Sequence, residues 1–216
     1  MRSVADAQGA VLRAAKKMLG KGLVEGTSGN ISARLSDGDI VCTPGSVDYE
    51  EMELDDLVVV NPDGEVLSRK DGRNPTSELQ LHLACYRAYE DIGAVVHAHP
   101  VWATMFACSH EAIPACIDEF AIYIGGEVRC ADYAMSGSAG VGDNAVEALQ
   151  GRGAALLANH GVVAVGPSPE KALHIVALVE RTAHIAWGAR ALGGVVPIPE
   201  QANQDFAGVY QLMRSL

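Results

Sequence analysis

The stretch that decides the fold is Gly93-Ala94-Val95-Val96-His97-Ala98-His99-Pro100. Its apolar run predicts a buried strand from residue 93 to 99, ended by Pro100. Because successive side chains of a strand point to opposite faces, His97 and His99 project from one surface at the strand's end. Neutral imidazole is a good ligand for zinc and related divalent ions, so the pair indicates part of a metal site. The same pair is also compatible with two hydrogen-bonded structural histidines.

A third histidine strengthens the metal interpretation. His160 lies between two short apolar segments, Ala154–Ala158 and Val162–Val165, which are predicted to be paired strands. A polar residue that interrupts a core needs a reason to be there. A catalytic zinc site takes three protein ligands and keeps one position for substrate, so we expect the three histidines to share one ion.

The remaining four histidines are weaker candidates. His110, His174 and His184 lack a second donor at a chelating spacing and are interpreted as surface or hydrogen-bonded core residues. His82 lies four residues after Glu78 on a predicted helix. Residues at this spacing are neighbours on a helix, so His82 could either bind the ion or orient the carboxylate.

Two small polar loops complete the candidate site. Residues 74–78 precede a predicted helix that runs to about Tyr89, and Thr76 or Ser77 is expected to cap it. Hydroxyls and free N–H groups at a helix start make an anion site, although an ordinary capped helix has the same pattern. The loop at 26–30 has glycines that let backbone amides approach a ligand. It lacks the lysine of a P-loop and follows no strand, so nucleotide binding is a poor fit and a plain turn is the alternative.

The rest of the chain mixes hairpins with helices. Turn sequences at 37–39 and 61–64 predict two hairpins. Five further helices are predicted at Val4–Leu19, Pro100–Cys108, Ile117–Ile124, Val141–Leu149 and Pro169–Leu192, followed by a proline-bearing tail. This mixture predicts an α/β fold in which helices cover a mixed, mainly antiparallel sheet. We see no linker, so residues 1–216 are expected to form a single domain.

Composition excludes several classes of function. The chain has 216 residues, 49% of them hydrophobic, and a formal net charge of −11. That apolar content excludes a disordered chain, and the acidic balance argues against nucleic acid or an anionic membrane as partner. Five cysteines without a CxxC pair favour reduced thiols, and no signal peptide or membrane span is recognised, so a cytoplasmic protein is expected. The same charge should also repel a small anion.

Five motifs in order resemble those of the class II aldolase/adducin family. They are G-T-S-G-N at 26–30, T-P-G-S at 43–46, T-S-E at 76–78, V-V-H-A-H at 95–99 and N-H-G at 159–161. The likeness covers essentially the whole chain and, within the family, is greatest for aldolases that act on L-fuculose 1-phosphate. It implies a three-layer sandwich with a nine-stranded, mainly antiparallel central sheet between helical layers. It also implies a homotetramer with active sites between subunits.

The resemblance also assigns the site residues. It places one zinc ion, or another divalent ion, on Glu78, His97, His99 and His160. It places the substrate phosphate on Thr27, Asn30, Ser46, Thr76 and Ser77. The family pattern T-P-x-G differs from Thr43-Pro44-Gly45-Ser46 here, which changes the contact expected from this turn.

The implied reaction is zinc-dependent retro-aldol cleavage of a ketose 1-phosphate to dihydroxyacetone phosphate and a short aldehyde such as lactaldehyde. Glu78 is expected to act as the base, and the candidates for the proton donor are Asp118, Glu119, Tyr123 and Tyr210. The glutamate favours an aldolase over the family's pentulose-5-phosphate 4-epimerases, which carry aspartate there, whereas the acidic pair at 118–119 is typical of the epimerases. The motifs are also compatible with a sugar-acid phosphate decarboxylase or dehydratase, and with a non-catalytic adducin-like binding module.

Overall fold

The computed structural model describes residues 3–214, so residues 1, 2, 215 and 216 of the predicted 1–216 domain lie outside the described part. Within it, the α-helices are α1 (Val4–Gly20), α2 (Leu79–Ala88), α3 (Val101–Ser109), α4 (Asp118–Ile124), α5 (Ala139–Ala148), α6 (Pro169–Ala191) and α7 (Glu200–Arg214). The strands are β1 (Asn30–Arg34), β2 (Ile40–Cys42), β3 (Val58–Val60), β4 (Val66–Ser68), β5 (Ala94–Ala98), β6 (Cys130–Ala131), β7 (Ala154–Leu157) and β8 (Gly161–Gly166). No helix of the described residues is both long and apolar enough to cross a membrane.

The strands form one sheet in the order β4-β3-β2-β1-β5-β8-β7-β6. Every neighbouring pair is antiparallel except β6 with β7, which confirms the predicted mixed, mainly antiparallel sheet. The described residues contain eight strands where the resemblance implied nine. A further pairing, between Ile113 and Val128, is limited to one bridge. Pro114 follows it and has no N–H to extend a ladder.

Helices cover both faces of the sheet, which confirms the three-layer architecture. Side chains of α1, α3, α4 and α6 form one core with residues such as Val96, while α2 and α5 form the second core with residues such as Val95. The alternation along β5 explains this division, because neighbouring strand residues point to opposite layers. The side chain of His97 therefore points to the α2 side, like that of Val95.

Two local features differ from what the sequence predicts or go beyond it. The tail after residue 197, for which no element is predicted, contains α7, whose buried residue among those described is Tyr210. Phe206 of the same helix is partly buried against the first core. In addition, α2 begins at Leu79 and neither Thr76 nor Ser77 caps it. A turn precedes the helix: the carbonyl of Thr76 accepts from the N–H of Leu79, while the N–H of Thr76 bonds to the carbonyl of Thr43.

Candidate metal centre

Four side chains from three parts of the fold converge at the end of β5. They are Glu78 just before α2, His97 and His99 at the end of β5, and His160 in the turn between β7 and β8. One potential ligand atom from each lies within 4.8 Å of all the others. Nε2 of His97 is 3.0 Å from Oε2 of Glu78, and Nε2 of His160 is 3.2 Å from its Oε1. Nε2 of His99 is 2.8 Å from Nε2 of His97.

Two glycines permit this convergence. Gly161 follows His160, and a Cβ there would lie 2.5 Å from the carbonyl oxygen of Ala98. Gly29 has a φ of +74°, and a Cβ there would lie 2.8 Å from the carbonyl oxygen of His97. Both positions therefore exclude a side chain on steric grounds, because real Cβ atoms do not approach backbone this closely. The backbone packs closely on either side of β5 where the histidines emerge.

The donor atoms have the chemistry that a divalent cation requires. Nδ1 of His97 lies 2.9 Å from the carbonyl oxygen of Val162, so Nδ1 carries the proton and donates it. Nε2 of the same ring faces Glu78 and His99 and is the atom available to a cation. A ring N–H bonded to a backbone carbonyl is the usual support of a metal-binding histidine. Ring nitrogens and a carboxylate that face one another fit a cation between them, so the four residues fit a zinc-type site.

Burial and neighbouring charges set the ionisation states of the cluster. Burial tends to raise the pKa of the Glu78 carboxyl, but hydrogen bonds from His160 and His97 outweigh it and hold the pKa below its usual range. Burial, together with the charges of His97 and His160, lowers the pKa of His99 to about 4. The carboxylate is thus ionised and His99 is neutral at neutral pH, which are the forms that bind metal.

Glu78 receives two further hydrogen bonds. The Nδ2 amide of Asn30 donates to Oε2 at 2.9 Å, and the hydroxyl of Ser136 donates to Oε1 at 3.0 Å. His82 lies outside the four-residue cluster and contacts Asn30 instead, with Nε2 2.6 Å from Oδ1. The sequence carries no signal for Ser136, which lies in an exposed loop between β6 and α5. Nor does it signal the contact of Asn30 with Glu78, since the resemblance assigns Asn30 to the phosphate alone.

The predicted phosphate ligands lie on loops next to Glu78. Asn30 and Thr76 are buried, whereas Thr27, Ser46 and Ser77 are exposed. The 43–46 and 74–77 loops are joined by hydrogen bonds from Thr76 N to Thr43 O and from Gly45 N to Asn74 O. The hydroxyl of Thr76 accepts from the N–H of Glu78 at 3.2 Å. Asn30 and Thr76 therefore contact Glu78 directly, whereas Thr27, Ser46 and Ser77 are exposed to solvent.

The four candidate proton donors are not brought to the cluster of the same chain. Glu119 pairs with Arg181 at 3.1 Å on the outside of α4, at whose N-terminus Asp118 also lies. Tyr123 packs edge-on against His174. Tyr210 is buried and its hydroxyl would lie 3.3 Å from a Cβ on Gly153, at the opposite end of β7 from His160.

Known proteins resemble this chain in both sequence and fold. Residues 9–187 match the family model described as "Class II Aldolase and Adducin N-terminal domain". A 5-deoxy-D-ribulose 1-phosphate aldolase of Bacillus thuringiensis serovar kurstaki is 35% identical over 91% of each chain. An L-fuculose phosphate aldolase of Escherichia coli K12 is 32% identical over 90% of this chain and 87% of its own. A solved L-fuculose 1-phosphate aldolase superposes with a TM-score of 0.91 at 34% identity, over 98% of each chain.

Proposed function

The chain belongs to the class II aldolase and adducin family, and from that premise we propose that it cleaves a ketose 1-phosphate between C3 and C4. It is an enzyme, a lyase of this family. The proposed products are dihydroxyacetone phosphate and a short aldehyde, which is lactaldehyde if the substrate is L-fuculose 1-phosphate and acetaldehyde if it is 5-deoxyribulose 1-phosphate. The observation that carries the proposal is the cluster of three imidazoles and one carboxylate, because it provides both a metal site and a movable base.

We propose that Glu78, His97, His99 and His160 hold one divalent cation per subunit, and that this cation is zinc. Three nitrogen donors and one carboxylate are a ligand set that zinc accepts. Bound there, the cation supplies Lewis-acid stabilisation of the negative charge that develops on the substrate oxygens when the C3–C4 bond breaks.

The proton transfers are assigned to side chains. In the cleavage direction, a base removes the proton of the C4 hydroxyl, the C4 carbonyl forms and the C3–C4 electron pair passes into the C2–C3 enediolate. Glu78, as the carboxylic acid, then delivers a proton to C3. In the reverse direction the Glu78 carboxylate removes that proton. Glu78 is held by Asn30 and Ser136 at the edge of the histidine cluster, where release from the ligand shell in a dry pocket raises its pKa enough for this task.

The substrate phosphate is proposed to bind Thr27, Asn30, Ser46, Thr76 and Ser77. Asn30 uses one N–H for Glu78 and its oxygen for His82, so its second Nδ2–H is the donor for the phosphate. A net charge of −11 does not oppose this. Net charge governs solubility and the long-range field, whereas the local pocket combines hydroxyls, an amide and a cation.

We propose that residues 1–216 act as one domain within a homotetramer whose neighbouring subunit supplies the remaining proton-transfer group, taken from Asp118, Glu119, Tyr123 and Tyr210. Two observations support an assembly. The four side chains lie away from the cluster of their own chain, and α3 and α6 expose large apolar side chains, among them Val101, Met105 and Trp187. Apolar surface of this kind is typical of protein interfaces.

A coupled assay for dihydroxyacetone phosphate tests the proposal. The zinc-loaded protein is incubated with L-fuculose 1-phosphate, 5-deoxyribulose 1-phosphate and a ketose 5-phosphate as the control substrate. Release from at least one ketose 1-phosphate, and none from the 5-phosphate, is the expected result. Release from none, together with interconversion of ribulose and xylulose 5-phosphates, would establish the epimerase alternative. An inactive protein that binds no metal would indicate the adducin-like binding module.

A further inference from the structure

A chain of buried hydrogen bonds runs from Glu78 through the layer between α2 and the sheet. Oε2 of Glu78 accepts from Asn30 Nδ2 at 2.9 Å, and Asn30 Oδ1 lies 2.6 Å from His82 Nε2. On the other side of the ring, His82 Nδ1 lies 2.6 Å from the Ser32 hydroxyl, which lies 2.8 Å from the Tyr86 hydroxyl. All five residues are buried, and Ser32 and His82 are 0% exposed. Water therefore has no access to Ser32 and His82 at the centre of this series of hydrogen bonds.

The direction of every bond in this chain follows from Glu78. An ionised carboxylate only accepts hydrogen bonds, so the NH₂ group of Asn30 must face it and the amide oxygen must face His82. His82 then carries its proton on Nε2, and its Nδ1 must accept from the Ser32 hydroxyl. The Ser32 oxygen in turn accepts from Tyr86. Each donor points toward the carboxylate, and no member can turn around without leaving two acceptors face to face.

The ionisation of the buried groups keeps this single arrangement. Burial lowers the pKa of His82 to about 3, so the ring is neutral and carries one proton. Burial also raises the pKa of the Tyr86 phenol above its usual value, so its hydroxyl keeps the proton that Ser32 receives. If His82 were protonated on Nδ1 instead, the Asn30 amide would have to flip and place its oxygen against Glu78. A buried pair of acceptors that face each other without a proton between them is strongly unfavourable.

We propose that His82, held as the Nε2–H tautomer by Ser32 and Tyr86, is a positioning residue that orients the Asn30 amide and through it the Glu78 carboxylate. This inference rests on the proposed function, because it gives the base of that reaction its orientation. It assigns catalytic significance to three residues, Ser32, His82 and Tyr86, that do not touch the cluster. Substitution of any of them should have the effect typical of residues that hydrogen-bond to a metal ligand, which is a loss of about 10–100-fold in activity or metal affinity.

Nitrogen-15 NMR tests the tautomer without reference to activity. The two-bond correlation spectrum of zinc-loaded, labelled protein is recorded from pH 5.5 to 8.5, with the ring of His82 assigned through its backbone. We expect one protonated Nε2 and one unprotonated Nδ1, unchanged across this range. In Ser32→Ala, which removes the donor to Nδ1 but leaves the Asn30 oxygen in place, the Nε2–H form should persist and only the Nδ1 resonance should shift, as expected for a nitrogen that has lost its hydrogen bond. An Nδ1–H or doubly protonated ring in the unsubstituted protein would overturn the proposal.

Kinetics and zinc affinity separate positioning from simple core packing. His82→Leu fills the space without hydrogen bonds, whereas His82→Gln presents an amide N–H where Nε2–H lies and an oxygen toward Ser32. We expect His82→Leu to lower kcat by about 10–100-fold, with KM changed by less than about 3-fold, and His82→Gln to recover most of the loss. Equal losses in both variants would contradict positioning.

Two neighbouring tyrosines provide a matched comparison: Tyr86 lies in α2, and the control, Tyr89, caps its C-terminal end. Tyr86 belongs to the chain of hydrogen bonds, whereas the hydroxyl of Tyr89 bonds to the carbonyl of Val146 outside it, at 2.7 Å. Tyr86→Phe should lower kcat and raise the zinc dissociation constant, and Tyr89→Phe should change neither. If the unsubstituted protein cleaves no ketose 1-phosphate, the proposed function fails, and the tautomer and zinc affinity still decide the positioning role. If cleavage is intact and the tautomer is Nδ1–H, the positioning role alone fails.

Discussion

Asn30 and His97 are paired directly across the antiparallel strands β1 and β5. Opposite residues of such a pair place their side chains on the same face of the sheet. The hydrogen-bond donor to Glu78 and one of the histidines facing it are therefore fixed relative to each other by two central strands. A site held by the sheet keeps its geometry better than one held by loops alone.

Loss of one histidine should remove the cation. His97→Ala, His99→Ala and His160→Ala each take one nitrogen donor from a four-residue site. We expect zinc binding to fall by at least about 10-fold and cleavage to be lost, measured by metal content after dialysis and by a competing chelator. The matched control is His174→Ala, which changes an exposed histidine of α6 that packs on Tyr123. Full zinc content in the three cluster variants would remove them from the site.

Neutralising Glu78 should separate metal binding from proton transfer. Glu78→Gln keeps the size of the side chain and all three imidazoles but cannot exchange a proton with C3. We expect zinc to be retained, with reduced affinity, and kcat to fall by roughly 10²–10⁴-fold, the usual contribution of a general acid or base. Full turnover in this variant would show that another residue is the base. Ser136→Ala, which removes only a hydrogen bond to Oε1, should have a much smaller effect.

A methyl group at Gly161 should disturb the cluster by steric conflict. Its Cβ would lie 2.5 Å from the Ala98 carbonyl oxygen and 2.8 Å from Cδ2 of His99. We expect Gly161→Ala to weaken zinc binding and to lower the melting temperature. The control is Gly188→Ala in α6, where nothing lies within 4 Å of the new Cβ. That change should stabilise the helix by up to about 1 kcal/mol without affecting zinc affinity.

The buried carboxylate of Asp56 should make stability depend on pH. Burial tends to raise its pKa, but hydrogen bonds from the Glu53 N–H and from Arg73, 2.7 Å away, hold the pKa below its usual value. Because the folded pKa is the lower one, this stabilisation is complete above the unfolded pKa of about 3.9. It is lost as the pH falls through the folded value.

Asp56→Asn is therefore expected to cost about 1–3 kcal/mol at pH 7. The difference from the unsubstituted protein should shrink below roughly pH 4. Urea unfolding at both pH values, at one protein concentration, measures this. Asp55→Asn, whose side chain is 63% exposed and pairs with Lys70, should change stability by less than about 1 kcal/mol at either pH. An equal cost of Asp56→Asn at pH 3 and pH 7 would contradict the assignment.

Local sequence patterns are sufficient to predict most of the sheet and the three histidines of the cluster. Strict period-two spacing puts His97 and His99 on one face, and the polar break at His160 marks a turn between buried strands. The resemblance, rather than any spacing, adds Glu78. Local pattern cannot predict the hydrogen-bond partners of Glu78, because Asn30 and Ser136 are separated from it by 48 and 58 positions in the sequence. Contacts over such distances depend on strand order, which periodicity does not encode.

The start of α2 illustrates the same limit. A hydroxyl at Thr76 or Ser77 followed by an apolar run is the usual signal of a capped helix. Here a turn over residues 76–79, closed by the bond from the Leu79 N–H to the Thr76 carbonyl, comes first, and the helix begins at Leu79. No element is predicted for the tail in which α7 forms, although this helix contacts the rest of the fold through buried Tyr210 and partly buried Phe206.

The spacing of the cluster along the chain has a consequence for biosynthesis. A nascent polypeptide that has emerged only as far as His99 carries Glu78, His97 and His99, but lacks His160 and the strand β8 that pairs with β5. Such an intermediate offers an incomplete chelate, and affinity for a structural or catalytic ion depends on a formed site. Binding of the proposed cation should therefore follow the pairing of β8 with β5, and a ribosome-bound fragment that ends before His160 should not bind it tightly.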